Sequence, residues 1–245
     1  MPGYLTRHAC ITIRGAEPLT IRSLRDRNQF ADPLGEAERL GISSADWSLF
    51  GLLWPSGDEL AARVALRPVH AGERILELGC GLALASLVAH RRGADVTGSD
   101  RHPLAAAFLR ENLRLNGLLP MKYRHGDWAS ALGTDAAPAG PGGASAAGPG
   151  GVAAAVVGRY DLLIGSDLLY DRDATLQLAR FIGGHAAAQA EVWIVDPDRG
   201  NRPAFNRCMA ALGFDRDEER LDRRPSAEAP AYKGRLLLYR RAAPT

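Results

Sequence analysis

Cysteine is scarce in this chain. Only Cys10, Cys80 and Cys208 occur in 245 residues, far apart, odd in number and with no C-x-x-C pair. A disulfide framework or a zinc site is therefore disfavoured, and free thiols fit a reducing compartment. Long apolar runs are missing too. No stretch approaches the roughly 20 apolar residues that span a bilayer, and Met1 to Thr12 has no run resembling a signal peptide. The expectation is a cytoplasmic protein with no membrane contact. Charge of one sign is also lacking, because 30 Lys and Arg face 28 Asp and Glu for a net +2. That balance disfavours nucleic acid as a partner held chiefly by its phosphates. The six histidines (His8, His70, His90, His102, His125, His185) show no metal-ligand spacing. No metal is expected, and they are assigned to surface or core. Neither a G-x-S-x-G elbow nor a P-loop occurs.

What is present reads as one α/β domain with an extension, expected to be a monomer. In residues 1–45, Ala9 to Ile13 and Leu19 to Ile21 lean towards strand, with Arg14 to Pro18 as turn chemistry between them. A hairpin is expected there, followed by a polar loop or short helix over 25–46. Ser56 or Asp58 is a candidate cap for a helix over about 58–67. From residue 74 strands and helices alternate. Strands are expected at 74–78, 95–100, 121–124, 160–165 and 190–195, and helices at 82–92, 104–116, 173–188 and 203–212. That alternation argues a parallel sheet with helices on both faces. Two closing strands near 214–221 and 235–239, with little between them, suggest an antiparallel edge strand. Residues 133–158 are nearly all Ala, Gly, Pro and Ser and read as a flexible insertion within the 46–245 domain.

Open α/β sheets bind ligands at the carboxyl ends of their strands, and the unusual residues fall there. Glu77-Leu78-Gly79-Cys80-Gly81 is a strand-to-helix turn whose glycines let a ligand approach the main chain. It also reads as an ordinary tight turn. The third glycine of a dinucleotide fingerprint is replaced by Leu84, which favours a phosphate-free ligand such as S-adenosylmethionine. Asp100, 19 residues after Gly81, suits ribose hydroxyls, or else a cap for the helix near Pro103. Asp127 can accept from an adenine amino group and Trp128 can cover its face. The alternative is a core tryptophan beside a solvated aspartate. Ser166-Asp167-Leu168-Leu169-Tyr170 ends the fourth strand and brings Asp167 and Tyr170 together if that turn is helical. It also reads as a cap followed by core packing. Leu168-Leu169 stands where many amino-methylating enzymes carry two prolines. Trp54-Pro55 offers a rigid apolar wall, or a core tryptophan. Asp196 to Arg202 ends the fifth strand with arginines that can meet an acidic substrate, or with plain capping chemistry.

Taken in order, Trp54-Pro55, Glu77–Gly81, Asp100, Trp128 and Asp167-Leu168-Leu169-Tyr170 resemble the class I, seven-β-strand S-adenosylmethionine-dependent methyltransferases. More narrowly they resemble the lysine methyltransferase-like group with a D-x-x-Y motif, methyltransferase family 16. The resemblance covers roughly residues 45–240. It implies a Rossmann-like doubly wound seven-stranded sheet of order 3-2-1-4-5-7-6, strand 7 antiparallel, here behind a short N-terminal β-hairpin. It implies that Trp54, Gly79, Cys80, Gly81, Asp100, Trp128 and Ser166 line the cofactor site, with Asp167 and Tyr170 beside the transferring methyl. Together with Glu77 and Asp127, these are the candidate site residues. Two departures stand out. Ala83 sits where the class often has a further glycine, and the 133–158 insertion is not part of the common pattern.

The expected chemistry is N-methylation, with a protein lysine as acceptor and a protein as partner. A lysine nucleophile must be neutral, and with a reference pKa near 10.4 only about one in 2,500 is neutral at pH 7. Asp167 is expected to orient the amine and Tyr170 to wall the pocket. A small-molecule or nucleic-acid methyltransferase, and a non-catalytic cofactor-binding module, are the alternatives.

Overall fold

The computed structural model describes residues 3–129, 153–225 and 231–242. It opens with a hairpin, β1 (Thr6–Ile13) and β2 (Ala16–Leu24), turning at Arg14-Gly15. A four-residue helix α1 (Glu36–Arg39) and a 3-10 turn (Leu49–Gly51) lead to helix α2 (Pro55–Leu66). The alternating section follows as β3 (Arg74–Leu78), α3 (Leu84–Arg91), β4 (Asp95–Asp100), α4 (Ala105–Leu115) and β5 (Lys122–His125). It continues as β6 (Tyr160–Ser166), α5 (Arg172–His185), β7 (Ala186–Asp196) and α6 (Arg202–Ala211), closing with β8 (Asp215–Arg220) and β9 (Arg235–Arg241).

The seven-stranded sheet has the order β5-β4-β3-β6-β7-β9-β8. Numbered from β3, this is the expected 3-2-1-4-5-7-6. The antiparallel strand, β9, lies one place in from the edge, between β7 and β8. The edge itself is β8, whose six residues are all exposed and mostly charged, a composition that discourages edge-to-edge pairing.

Side chains alternate across the pleat and divide the core in two. Ile75, Leu162, Ile164, Trp193 and Val195 point to the face covered by α2, α3, α4 and the hairpin. Leu76, Leu163, Val192, Ile194 and Leu237 point to the face covered by α5 and α6. The hairpin thus shares a core with the sheet. Its attachment is also polar. Asn112 on α4 and Asn116 at its C-cap, one turn on, use their side-chain amides as a substitute strand. Asn116 Oδ1 accepts from the Thr20 amide at 2.9 Å and its Nδ2 donates to the Thr20 carbonyl at 2.8 Å, while Asn112 Oδ1 accepts from the Arg22 amide at 2.7 Å.

Four local expectations are corrected. Neither Ser56 nor Asp58 caps α2, because Pro55 starts the helix one turn earlier with Trp54 at the N-cap; proline suits that first position because its missing N–H is an orphan there anyway. Residues 186–188 belong to β7 rather than to α5, since Ala186 pairs with Tyr160 of β6. Leu104, not Asp100, stands at the N-cap of α4. Residues 167–170 do not form a helical turn; Asp167 has φ 59° and α5 starts only at Arg172, capped by Asp171. Most of the 133–158 insertion lies outside the described residues. Its last part does not behave as an insertion, because Ala154 and Val156 hydrogen-bond to His125 and Val156 is buried.

Candidate functional site

A cavity of about 240 Å³ opens at the carboxyl ends of β3, β4, β5 and β6. Its floor is the glycine turn. Gly79 and Gly81 both have positive φ, at 54° and 50°. A Cβ at Gly79 would stand 2.8 Å from Leu168 and one at Gly81 would stand 2.7 Å from the Phe50 carbonyl oxygen. The turn is fastened from beneath. Asp100 Oδ2 accepts from the Gly81 amide and Oδ1 from the His102 amide, each at 2.8 Å. Glu77 Oε2 accepts from the Ser86 amide at 2.8 Å, and the Cys80 amide donates to the Ser99 carbonyl at 2.9 Å. Burial pushes the Glu77 carboxyl up to about 7, with Asp100 adding to the rise and Ser86 opposing it. Burial likewise raises the Asp100 carboxyl, against the two amides that favour its charge.

One wall comes from the segment before the sheet. Ile42, Asp46, Leu49, Phe50, Leu52 and Trp54 all line the cavity. The Trp54 indole donates to the Leu49 carbonyl at 3.0 Å, which folds the wall onto itself. Phe50 stacks on His102 with ring centroids 3.7 Å apart, and Trp47 meets both rings edge-on. His102 Nδ1 accepts from the Leu104 amide at 3.2 Å, so the proton of the neutral ring sits on Nε2. Burial holds this ring neutral, its pKa pushed down to about 3.

The far wall carries the reactive-looking groups. Asp167, Tyr170 and Ser166 come from the end of β6, and Arg199 from the loop after β7. Asp167 Oδ1 pairs with Arg199 Nη1 at 2.9 Å, and Oδ2 is buried without a hydrogen-bond partner among the described residues. Burial raises its carboxyl, while neighbouring Ser56 and Arg199 oppose that rise. Behind it Asp196, fully buried, accepts the Arg199 backbone amide at 2.7 Å. The Ser56 hydroxyl meets the buried Tyr232 hydroxyl at 2.9 Å.

The cavity brings together ten of the eleven candidate residues: Trp54, Gly79, Cys80, Gly81, Asp100, Asp127, Trp128, Ser166, Asp167 and Tyr170. Glu77 does not line it and instead anchors the first turn of α3 from below. Sequence reasoning missed Phe50, assigned His102 to surface or core, and read the loop that holds Arg199 either as a contact for an acidic substrate or as capping chemistry. His102 carried one usable signal, its place two residues after Asp100 at a strand end.

The lining fits S-adenosylmethionine. The Asp100 carboxylate stands at the β4 end, apolar Leu49, Phe50, Leu52 and Leu168 flank the space, and two buried donors, Trp128 Nε1 and His102 Nε2, have no partner among the described residues. An adenosine offers hydroxyls for the first, an aromatic face for the second and ring acceptors for the third. No group of His, Cys, Asp and Glu able to hold a metal occurs among the described residues, and none of their helices is long and apolar enough to cross a membrane.

The sheet order and the strand-end cavity define the Rossmann-like methyltransferase fold. Magnesium protoporphyrin IX methyltransferase from Synechocystis, a structure with bound S-adenosylmethionine, superposes with a TM-score of 0.53 at 16% identity, covering 76% of this chain and 78% of that one. Among curated proteins, the chain is 36% identical over 77 residues to the electron transfer flavoprotein β subunit lysine methyltransferase of Danio rerio, covering 31% of this chain and 29% of that enzyme. The Rattus norvegicus enzyme of the same name matches at 25% identity over 211 residues, 84% of this chain and 70% of its own length. A 23S rRNA uracil-C5 methyltransferase of Shewanella amazonensis is 36% identical over 67 residues, 27% of this chain and 15% of that enzyme. The chain therefore spans less than a third of the Danio rerio and Shewanella amazonensis relatives. No protein-family model matches it.

Proposed function

We propose that this protein is an S-adenosylmethionine-dependent N-methyltransferase whose acceptor is a lysine side chain of a protein. The carrying observation is Asp167: a carboxylate on the cavity wall next to Tyr170 and beside Ser56, with Oδ1 ion-paired to Arg199 and Oδ2 without a hydrogen-bond partner by distance and angle among the described residues. The match to the Rattus norvegicus lysine methyltransferase, at 25% identity over 84% of the chain, supports the same acceptor.

When bound, S-adenosylmethionine would supply a methyl on a sulfonium: the acceptor nitrogen's lone pair would form the new N–C bond as the C–S pair returns to sulfur, and the nitrogen would release one proton to solvent. The chain's own residues supply position and dryness. Asp100, Trp128, Trp54 and the glycine turn, which line the cavity, would hold the adenosine end. Asp167 Oδ2 accepts an N–H of the amine and aims its lone pair, and Tyr170 walls the acceptor channel. Alignment of this kind can supply a large share of a displacement's acceleration.

The rRNA methyltransferase match supports a second reading, transfer to RNA. Incubation with methyl-labelled S-adenosylmethionine and a cell extract separates the two. Label in protein that survives nuclease and maps to lysine is the expected result; label lost to nuclease would overturn the protein acceptor.

A further inference from the structure

The chemistry of Asp167 raises a difficulty that the structure answers. A bare carboxylate next to an amine stabilises the ammonium and raises its pKa, yet the reaction needs the neutral amine. At Asp167 the carboxylate is not bare. The guanidinium of Arg199, reaching over from the loop after β7, sits 2.9 Å from Oδ1 and itself lines the cavity. Its side chain is only 30% exposed and that of Asp167 only 13%, so solvent screens the pair weakly.

Resting on the lysine-transfer reading, we propose that Arg199 is the specificity-determining residue of the acceptor site. It leaves Asp167 Oδ2 as a hydrogen-bond acceptor while cancelling the negative field that would hold the incoming amine as an ammonium. The pair orients an amine without paying for its charged form.

Arg199 is itself held in place. Its backbone amide donates to Asp196 Oδ1 at 2.7 Å, and its Nη1 lies 3.7 Å from Asp196 Oδ2. Asp198, on the same loop, and Tyr232, before β9, also face this cluster; Arg202 and Arg235 pair with Asp198, Glu59 acts on Tyr232, and Arg101 lines the cavity near Tyr170. Tyr170 closes it from the β6 side. Burial pushes the Asp196 carboxyl up, and Asp167 and Asp198 push it further, while Arg199 opposes them. The Tyr232 hydroxyl is pushed up to about 12 and stays protonated. Arg199 is thus the cation between two carboxylates, and its removal leaves both uncompensated at the place where the amine arrives.

The test compares wild type, Arg199→Met, Arg199→Lys and Asp167→Ala. Transfer of label from methyl-labelled S-adenosylmethionine to the proteins of a cell extract is followed from pH 6.5 to 10, alongside calorimetric binding of unlabelled S-adenosylmethionine. Arg199→Met is expected to lose about tenfold in rate at pH 7, equivalent to a one-unit rise in the amine's pKa, and to recover most of that loss by pH 10. Arg199→Lys is expected to keep the wild-type profile, and all four proteins to bind S-adenosylmethionine alike. A loss in Arg199→Met that is equal at every pH, or a faster rate at pH 7, would overturn the role of Arg199. The lysine-transfer reading fails separately, through undiminished labelling by Asp167→Ala or through no protein labelling by wild type.

Discussion

The two ends of the cavity are built differently. At the β3–β4 end the fastenings are hydrogen bonds from backbone amides to carboxylates, between residues close in sequence: Ser86 to Glu77 nine positions apart, Gly81 to Asp100 nineteen apart. At the β6–β7 end one such local bond, from the Arg199 amide to Asp196, is joined by side-chain contacts gathered from distant parts of the chain. Arg199 meets Asp167 across one βαβ crossover, and Ser56 meets Tyr232 across 176 positions. The first arrangement fixes the course of the main chain and tolerates little change. The second sets charge and orientation, and it answers to single side-chain substitutions without reshaping the sheet. A rigid cradle beside an electrostatically tuned wall is what a shared cofactor and a particular acceptor would each require.

Substitutions should divide along that line. Asp167→Ala gives the largest effect at the β6–β7 end: methyl transfer to extract protein falls about a thousandfold, because the amine loses the acceptor that aims its lone pair, while S-adenosylmethionine affinity stays within about twofold of wild type. Gly81→Val strikes the other end, because its Cβ would stand 2.7 Å from a main-chain oxygen that cannot swing aside. Calorimetry should show S-adenosylmethionine affinity reduced by about a hundredfold, or about 2.7 kcal/mol.

The pH response sharpens the comparison. The Glu77 carboxyl is raised from 4.5 to about 7 in the folded chain, so the folded state holds that proton more tightly than the unfolded one. The stability this contributes is complete below about pH 4.5 and is lost as pH rises through about 7, a change on the order of 3 kcal/mol. Glu77→Gln stays uncharged throughout. Urea unfolding at pH 5 and pH 8 should therefore show a smaller fall in stability for Glu77→Gln than for wild type. The smallest effect is expected at Ala83, which sits fully buried in a left-handed conformation at φ 59°. Ala83→Gly relieves about 1 kcal/mol of strain and forfeits about 0.8 kcal/mol of methyl burial. Thermal melting should move by no more than a few degrees.

The same division explains what the sequence made legible. Runs such as Ile75-Leu76 and Val192 to Val195 alternate between two buried faces, so strand positions and the glycine turn followed from local pattern, whereas the sheet order came only with the family resemblance. Nine of the ten candidate residues could be named because strand ends mark themselves by a break in apolar pattern; Trp54, before α2, was named for its Trp-Pro pair. Arg199 could not be singled out, since a loop arginine among aspartates reads equally as solvated surface until the fold brings it to Asp167. Phe50 and His102 were hidden for a similar reason: their stacking depends on how the chain before α2 drapes over the end of β4. Ser56 looked like a helix cap, but Pro55 took the start of α2 and freed the Ser56 hydroxyl for Tyr232.

Calorimetric titration of S-adenosylmethionine into wild type, Gly81→Val and Asp167→Ala tests the central claim most directly. Saturable one-to-one binding that Asp167→Ala retains and Gly81→Val loses by about a hundredfold is the predicted result. No binding to wild type, or binding that Gly81→Val leaves intact, would contradict it.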